Sequence, residues 1–228
     1  MESRKTVLLF LGIFLFILIL SLNAAVCRGQ ERKRDPAAAA VNPGKACEEE
    51  LQEANDRYYR KKYDEALPLY DTVIEGKRSC PDELKGEAFY GRARTKETIQ
   101  DFRGAVADYS KALQINPDSR KYREAQGHGY YLLGNQKERF GDLRGALEDY
   151  HRALHYIPES KEAMNGMAGL YYERGVAREQ RGELKGALEE FKTALKYRPD
   201  HPEAREAKKN LEERLRHKAA ERDGMITF

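Results

Sequence analysis

The chain has 228 residues and a formal net charge of +3, with 35% charged and 40% hydrophobic residues. Positive and negative side chains are interspersed, so there is no electrostatic case for nucleic-acid binding. The length fits one domain or a short repeat array. The chain lacks a Gly-rich phosphate loop, a nucleophile elbow and paired catalytic carboxylates, which argues against an enzyme and against a small-molecule cofactor.

The N-terminus differs from the rest. Met1 to Lys5 is basic, Val7 to Leu20 is apolar, and Ala24-Ala25-Val26-Cys27 follows. Residues 1–27 therefore read either as a cleaved signal peptide or as an N-terminal membrane anchor through residues 7–26. The first reading exports the protein to a periplasm, secretory lumen or extracellular space; the second tethers it. Arg28 to Arg34 pulls the following chain toward the cytosol, so a cytosol-facing anchor is the alternative. Residues 28–45 are a linker containing Asp-Pro-Ala-Ala-Ala-Ala.

Three blocks then recur 41 residues apart: FRGAVADYSKAL from Phe102, LRGALEDYHRAL from Leu143 and LKGALEEFKTAL from Leu184. Ala105, Ala146 and Ala187 coincide, as do Tyr109, Tyr150 and Phe191, and Pro117, Pro158 and Pro199 close the units. A fixed period of this size means one supersecondary unit stacked on copies of itself, whose function lies in the surface it exposes. Each unit carries two helical patterns. In the third, Gly129 to Phe140 precedes the turn Gly141-Asp142, and Leu143 to Tyr156 follows with an apolar stripe at offsets of three and four. Pro158 stops that helix and Ser160 caps the next.

These residues resemble the tetratricopeptide repeat, which asks for small residues at Ala93, Gly134 and Gly175 and in the Ala105 and Ala112 series, with the aromatic and proline above. A fourth, earlier copy is recognisable in the stretch from Ala54, with Ala66 and Tyr70 in register. The resemblance implies an all-α fold, a right-handed superhelical solenoid of antiparallel helix pairs. Four repeats span residues 46–200 (about 46–81, 86–119, 120–160 and 161–200), a C-terminal capping helix spans 201–223, and 224–228 is a tail. The family unit has 34 residues, so Arg120 to Gln126 and Lys161 to Met167 are insertions of seven. Seven residues make almost two turns, and an extended first helix keeps the same face inward. A loop is the other reading.

The family lines its concave side with first helices and binds partners there. The corresponding places are Tyr90, Tyr131 and Tyr172, then Glu97, Glu138 and Glu179, with Arg94 and Asn135 between them and Asn55 and Tyr58 in the first copy. A ladder of phenol rings and carboxylates suits an extended protein segment or peptide. Inherited packing between helices is the competing explanation for both ladders. The chaperone-tail carboxylate clamp of one subfamily is not reproduced. Asn55 matches, but Leu51, Gly91, His128 and Leu132 replace the other polar and basic residues.

Cys47 opens the first helix of the first copy and Cys80 follows its second, ends that an antiparallel hairpin brings together. A disulfide between them requires an oxidising compartment; two unrelated thiols are the alternative. His151 and His155 share a helix face without a third metal ligand. The expectation is a non-catalytic adaptor or scaffold that holds a partner protein or peptide. A chaperone-like module gripping unfolded exported chains and a self-assembling structural unit are the alternatives.

Overall fold

The computed structural model describes residues 43–76, 79–222 and 224. The apolar stretch 7–26, the linker up to residue 42 and residues 225–228 lie outside the described residues. The chain divides into a unit ending at Ala46 and a unit from Cys47 onward. Of the first, the described residues 43–46 form the opening turn of a helix.

The described residues form helices joined by short turns: α1 (Pro43–Tyr59), α2 (Tyr63–Glu75), α3 (Asp82–Thr98), α4 (Phe102–Ile115), α5 (Arg120–Arg139), α6 (Leu143–Tyr156), α7 (Lys161–Gln180), α8 (Leu184–Tyr197) and α9 (Pro202–Arg222). From Cys47 onward the architecture is an all-α solenoid of helix hairpins. Helices α3 and α4, α5 and α6, and α7 and α8 pack as pairs, and each pair packs on the next. Helix α9 lies on α8 and closes the stack.

Turn chemistry sets the hairpins. Lys61, Gln100, Gly141 and Gly182 occupy the same place between first and second helices, all with φ between 60° and 79°. This left-handed conformation reverses the chain after a helix. Asp101 and Asp142 follow, and their Oδ1 atoms accept from the backbone N–H of Gly104 and Gly145 at 2.9 Å. Ser119 and Ser160 cap α5 and α7 through Tyr122 N–H and Ala163 N–H, each at 3.3 Å.

The interior is built as one apolar cluster per hairpin, the pattern expected of a one-dimensional stack. Leu51, Ala54, Ala66, Tyr70 and Val73 form the first. Tyr109 centres the second, Tyr150 the third and Phe191 the fourth. Leu211 of α9 is fully buried in that fourth cluster, so the last helix covers an apolar face that would otherwise be open. The small residues let the paired helices approach. A Cβ built on Gly175 would sit 2.5 Å from Phe191 Cε1, and one on Gly134 would sit 2.9 Å from Tyr150 Cδ1.

The seven-residue insertions are helical. Helices α5 and α7 have 20 residues each and begin at Arg120 and Lys161, whereas α4, α6 and α8 have 14. At 1.5 Å per residue α5 and α7 are about 30 Å long and α4, α6 and α8 about 21 Å. The extra length keeps one face on the neighbouring first helix, and α5 and α7 touch directly.

A charged seam runs inside each of the last three hairpins, and the sequence pattern did not expose it. Asp108, Asp149 and Glu190 occupy one register position, 41 residues apart, and all three are buried. Arg92 grips Asp108 with Nε and Nη2 at 2.8 and 2.7 Å, and Lys96 Nζ lies 2.8 Å away. Lys137 Nζ and Arg152 Nη1 lie 2.5 and 2.7 Å from Asp149. Arg174 and Arg178 hold Glu190 at 2.7 and 3.1 Å. Each acid is on a second helix, and at least one of its cations is on the first helix of the same hairpin.

Candidate functional site

The expected wall residues lie in register on the first helices, and most of them make a defined contact. Tyr90 packs on Tyr109 with ring centroids 5.9 Å apart, Tyr131 on Tyr150 at 6.0 Å, and Tyr172 on Phe191 at 5.8 Å. All three remain half-buried: one side rests on the core aromatic and the rest is accessible. They therefore have a packing role in addition to whatever they present outward.

The carboxylate line is anchored in the same way. Glu97 Oε2 accepts from the Tyr109 hydroxyl at 2.9 Å, and Glu138 accepts from the Tyr150 hydroxyl. In the fourth hairpin Phe191 has no hydroxyl, and Glu179 pairs instead with Arg214 of α9. In the first, Tyr70 donates to Asn55 Oδ1 at 2.8 Å. Burial pushes the Tyr109 and Tyr150 phenols up, and the adjacent carboxylates push them further, so both stay protonated donors. Burial pushes Glu97 up, but hydrogen bonds from His128 and Tyr109 and the positive charges of His128 and Arg94 outweigh it and hold Glu97 below its ordinary value. Asn135 shares this line, half-buried.

Arg94 joins two repeats. Its guanidinium lies 4.7 Å from the centroid of Tyr58 and 5.7 Å from that of Tyr90, and its Nη2 donates to the Tyr58 hydroxyl at 3.2 Å. It has no ion-pair partner among the described residues. On the other side of Tyr90, Lys121 Nζ stands 4.6 Å from the ring and is held by Glu87 at 2.6 Å. Glu87 also accepts from the Tyr122 hydroxyl at 2.8 Å.

Between α3 and α5 these residues line a recess of about 460 Å³ that contains Tyr90, Arg94, Glu97, Arg120, Lys121, Glu124 and His128. Between α7 and α9 lies a second, of about 320 Å³, containing Tyr172, Val176, Glu179, Glu203, Glu206 and Asn210. The two are the same construction two repeats apart. Adding 82 to Tyr90, Arg94, Glu97, Lys121, Glu124 and His128 gives the six residues of the second recess in order. In this register α9 is a fifth first helix as well as a cap. Lys121 and Glu124 escaped the sequence reading because 120–126 was an insertion there, His128 because it was weighed only as a missing cation of the carboxylate clamp, and Glu203 and Glu206 because α9 was only a cap. Continuing the period across both segments would have found them.

Between the two recesses, Gly169 occupies the place of His128 and Asn210, and a Cβ built there meets nothing within 4 Å. Cys47 and Cys80 are joined by a disulfide with Cα atoms 5.8 Å apart, and neither lines a recess. Among the described residues no cluster of three or more His, Cys, Asp or Glu side chains is arranged to hold a metal ion. None of the described helices is long and apolar enough to cross a membrane.

Two family profiles, both described as tetratricopeptide repeat, match residues 51–127 and 168–201. No curated protein matches the chain. Among solved structures it is similar to YrrB, a TPR protein with an unusual peptide-binding site, at 22% identity over 75% of this chain and 99% of that one (TM-score 0.40). It is also similar to MamA, at 18% identity over 78% and 88% (TM-score 0.39). The Hsp90 co-chaperone Cns1 from Saccharomyces cerevisiae matches at 19% identity over 69% of this chain and 49% of that one (TM-score 0.45). The period, the helix hairpins and both profile matches agree on tetratricopeptide repeats within residues 51–127 and 168–201.

Proposed function

We propose that this chain is a non-catalytic adaptor that holds an extended segment of a partner protein along the wall formed by its first helices. The observation that carries this reading is the repeated cell: a half-exposed tyrosine, a hydrogen-bonded carboxylate and the next first helix, set in register from α3 to α9. Flat aromatic area whose rings are already fixed by core contacts loses little side-chain entropy on binding. Polar groups at regular intervals suit a backbone in extended form. The adaptor works on the exported side of a membrane, or tethered to one by residues 7–26. The Cys47–Cys80 disulfide supports an oxidising compartment.

A photo-crosslinking residue at position 169, where there is open space, tests the reading against the same residue at position 144, whose native Arg144 side chain is exposed on the second helix α6. Crosslinking of one defined partner from position 169 alone is expected. Equal capture from both positions would remove the wall from consideration.

A further inference from the structure

The two register-equivalent recesses carry opposite charge. We infer that the partner segment is itself polarised: it places an acidic side chain between α3 and α5 and a basic side chain between α7 and α9. This rests on the adaptor reading above and specifies the chemistry of its ligand.

The first recess presents Arg94, Arg120 and Lys121 against Glu97 and Glu124, and His128 adds a further positive charge when protonated. Arg94 is the important one. Lys121 is already paired with Glu87 and Arg120 with Glu124, at 2.6 Å each. The guanidinium of Arg94 packs against the Tyr58 and Tyr90 rings, and although its charge acts on Glu97 it makes no close ion pair with a carboxylate among the described residues. A cation fixed by stacking, with hydrogen-bond donors left over, is a receptor for a carboxylate.

At the equivalent places in the second recess Arg94 becomes Val176, Lys121 becomes Glu203 and His128 becomes Asn210. Glu179, Glu203 and Glu206 remain, and the recess lining includes no cation. Arg214 offsets Glu179 from outside the lining, and His201 lies 2.8 Å from Glu203. Glu206 has no ion-pair partner among the described residues. That end is a receptor for a lysine or arginine. Between them, Tyr131 and the open space at Gly169 leave room for a bulky apolar side chain.

The spacing follows from the stack. The recesses are two first-helix steps apart, roughly 16–20 Å at ordinary helix–helix distances. An extended chain covers that in about five or six residues.

The test uses fluorescein-labelled 12-residue peptides with a Leu-Tyr centre in a Gly/Ser background. Each carries Glu and Lys separated by three to nine residues, in both chain directions, beside Glu/Glu, Lys/Lys and uncharged controls. Fluorescence anisotropy with the intact chain is expected to favour Glu/Lys peptides at a separation of five or six by tenfold or more over like-charge peptides. Arg94→Glu should abolish that preference, and replacing the peptide Glu by Lys should restore binding to that variant. Glu206→Lys, on an exposed part of α9, gives the mirror result at the other end without touching the contacts of Arg94 with Tyr58 and Tyr90. Binding that ignores charge in both variants overturns the polarity while leaving the wall as the site. Failure of every peptide, uncharged ones included, overturns the polarity and the adaptor reading together.

Discussion

The hydroxyl of Tyr109 donates to Glu97 at 2.9 Å, so the central aromatic of a hairpin's core also holds a carboxylate on its exposed wall. The bond repeats in the next hairpin between Tyr150 and Glu138. Stability and presentation of the wall are therefore coupled through single side chains.

Tyr109→Phe removes that donor and keeps the ring. A hydrogen bond to a charged acceptor contributes about 1.5–3 kcal/mol, and loss of about 1–2 kcal/mol is expected because Glu97 keeps His128 as a partner. Phe191→Tyr should bring no matching gain, because Glu179 is already occupied by Arg214. Urea denaturation of the two variants checks both halves.

His128 is held above its ordinary value, chiefly by its hydrogen bond to Glu97, against the opposing effect of burial. A raised folded value means the histidine's stabilisation is fully present below its unfolded pKa, near 6.5, and is lost as pH rises through the folded value. Glu97 is lowered, so its share is present above the unfolded carboxylate range and fades as pH falls through the folded value. NMR titration should place His128 above 6.5 in the native chain and lower in Glu97→Gln. Coincident curves would rule out the pairing.

Asp149 is fully buried between Lys137 and Arg152. Asp149→Leu alone strands a lysine that is three-quarters buried and should cost about 3 kcal/mol. Combining it with Lys137→Met replaces the pair by apolar groups of similar size and should recover most of that loss. Thermal melts of the single and double variants decide. If the double variant is no better than the single, the seam is not behaving as an ion pair.

The Cys47–Cys80 bridge spans a sequence separation of 33 and ties the start of the first hairpin to its end. Loop-entropy estimates give about 3–4 kcal/mol for a closure of this length. Because contacts in the stack are between neighbours, reduction should loosen α1 and α2 before it affects the later hairpins. Hydrogen exchange with and without reductant should show protection falling first around Tyr70. Uniform loss along the chain would contradict this.

Gly141→Ala puts a side chain at φ 79°, with open space around it. The cost is conformational, about 1 kcal/mol. Gln100 already sits at φ 65°, so Gln100→Gly should stabilise by a few tenths to about 1 kcal/mol. Opposite shifts in melting temperature are expected.

The hairpins were legible in the sequence because the period repeats three times with little change. Pro158, Ser160 and the alanine series specify both ends and the close-packed face of a unit. The helical character of residues 120–126 followed from the arithmetic of two turns, and helix α5 begins at Arg120. The wall was legible only as a line of residues. That Glu97 and Glu138 are bound from behind by interior tyrosines depends on how one helix leans on another, which spacing along a single helix does not report. The seam of Asp108, Asp149 and Glu190 was hidden because burial of a charge is set by its partner. That partner stands 16 residues away for Arg92 and Asp108, and for Arg174 and Glu190.

The long first helices have a consequence for how such a chain can change. A module of ordinary length spliced into the middle would be short by nearly two turns on the side where α5 meets α7. It would leave a notch across which neither helix could reach the other. Growth or shrinkage of the array at the hairpins of α5 and α7 is thereby restricted to copies of that oversized unit.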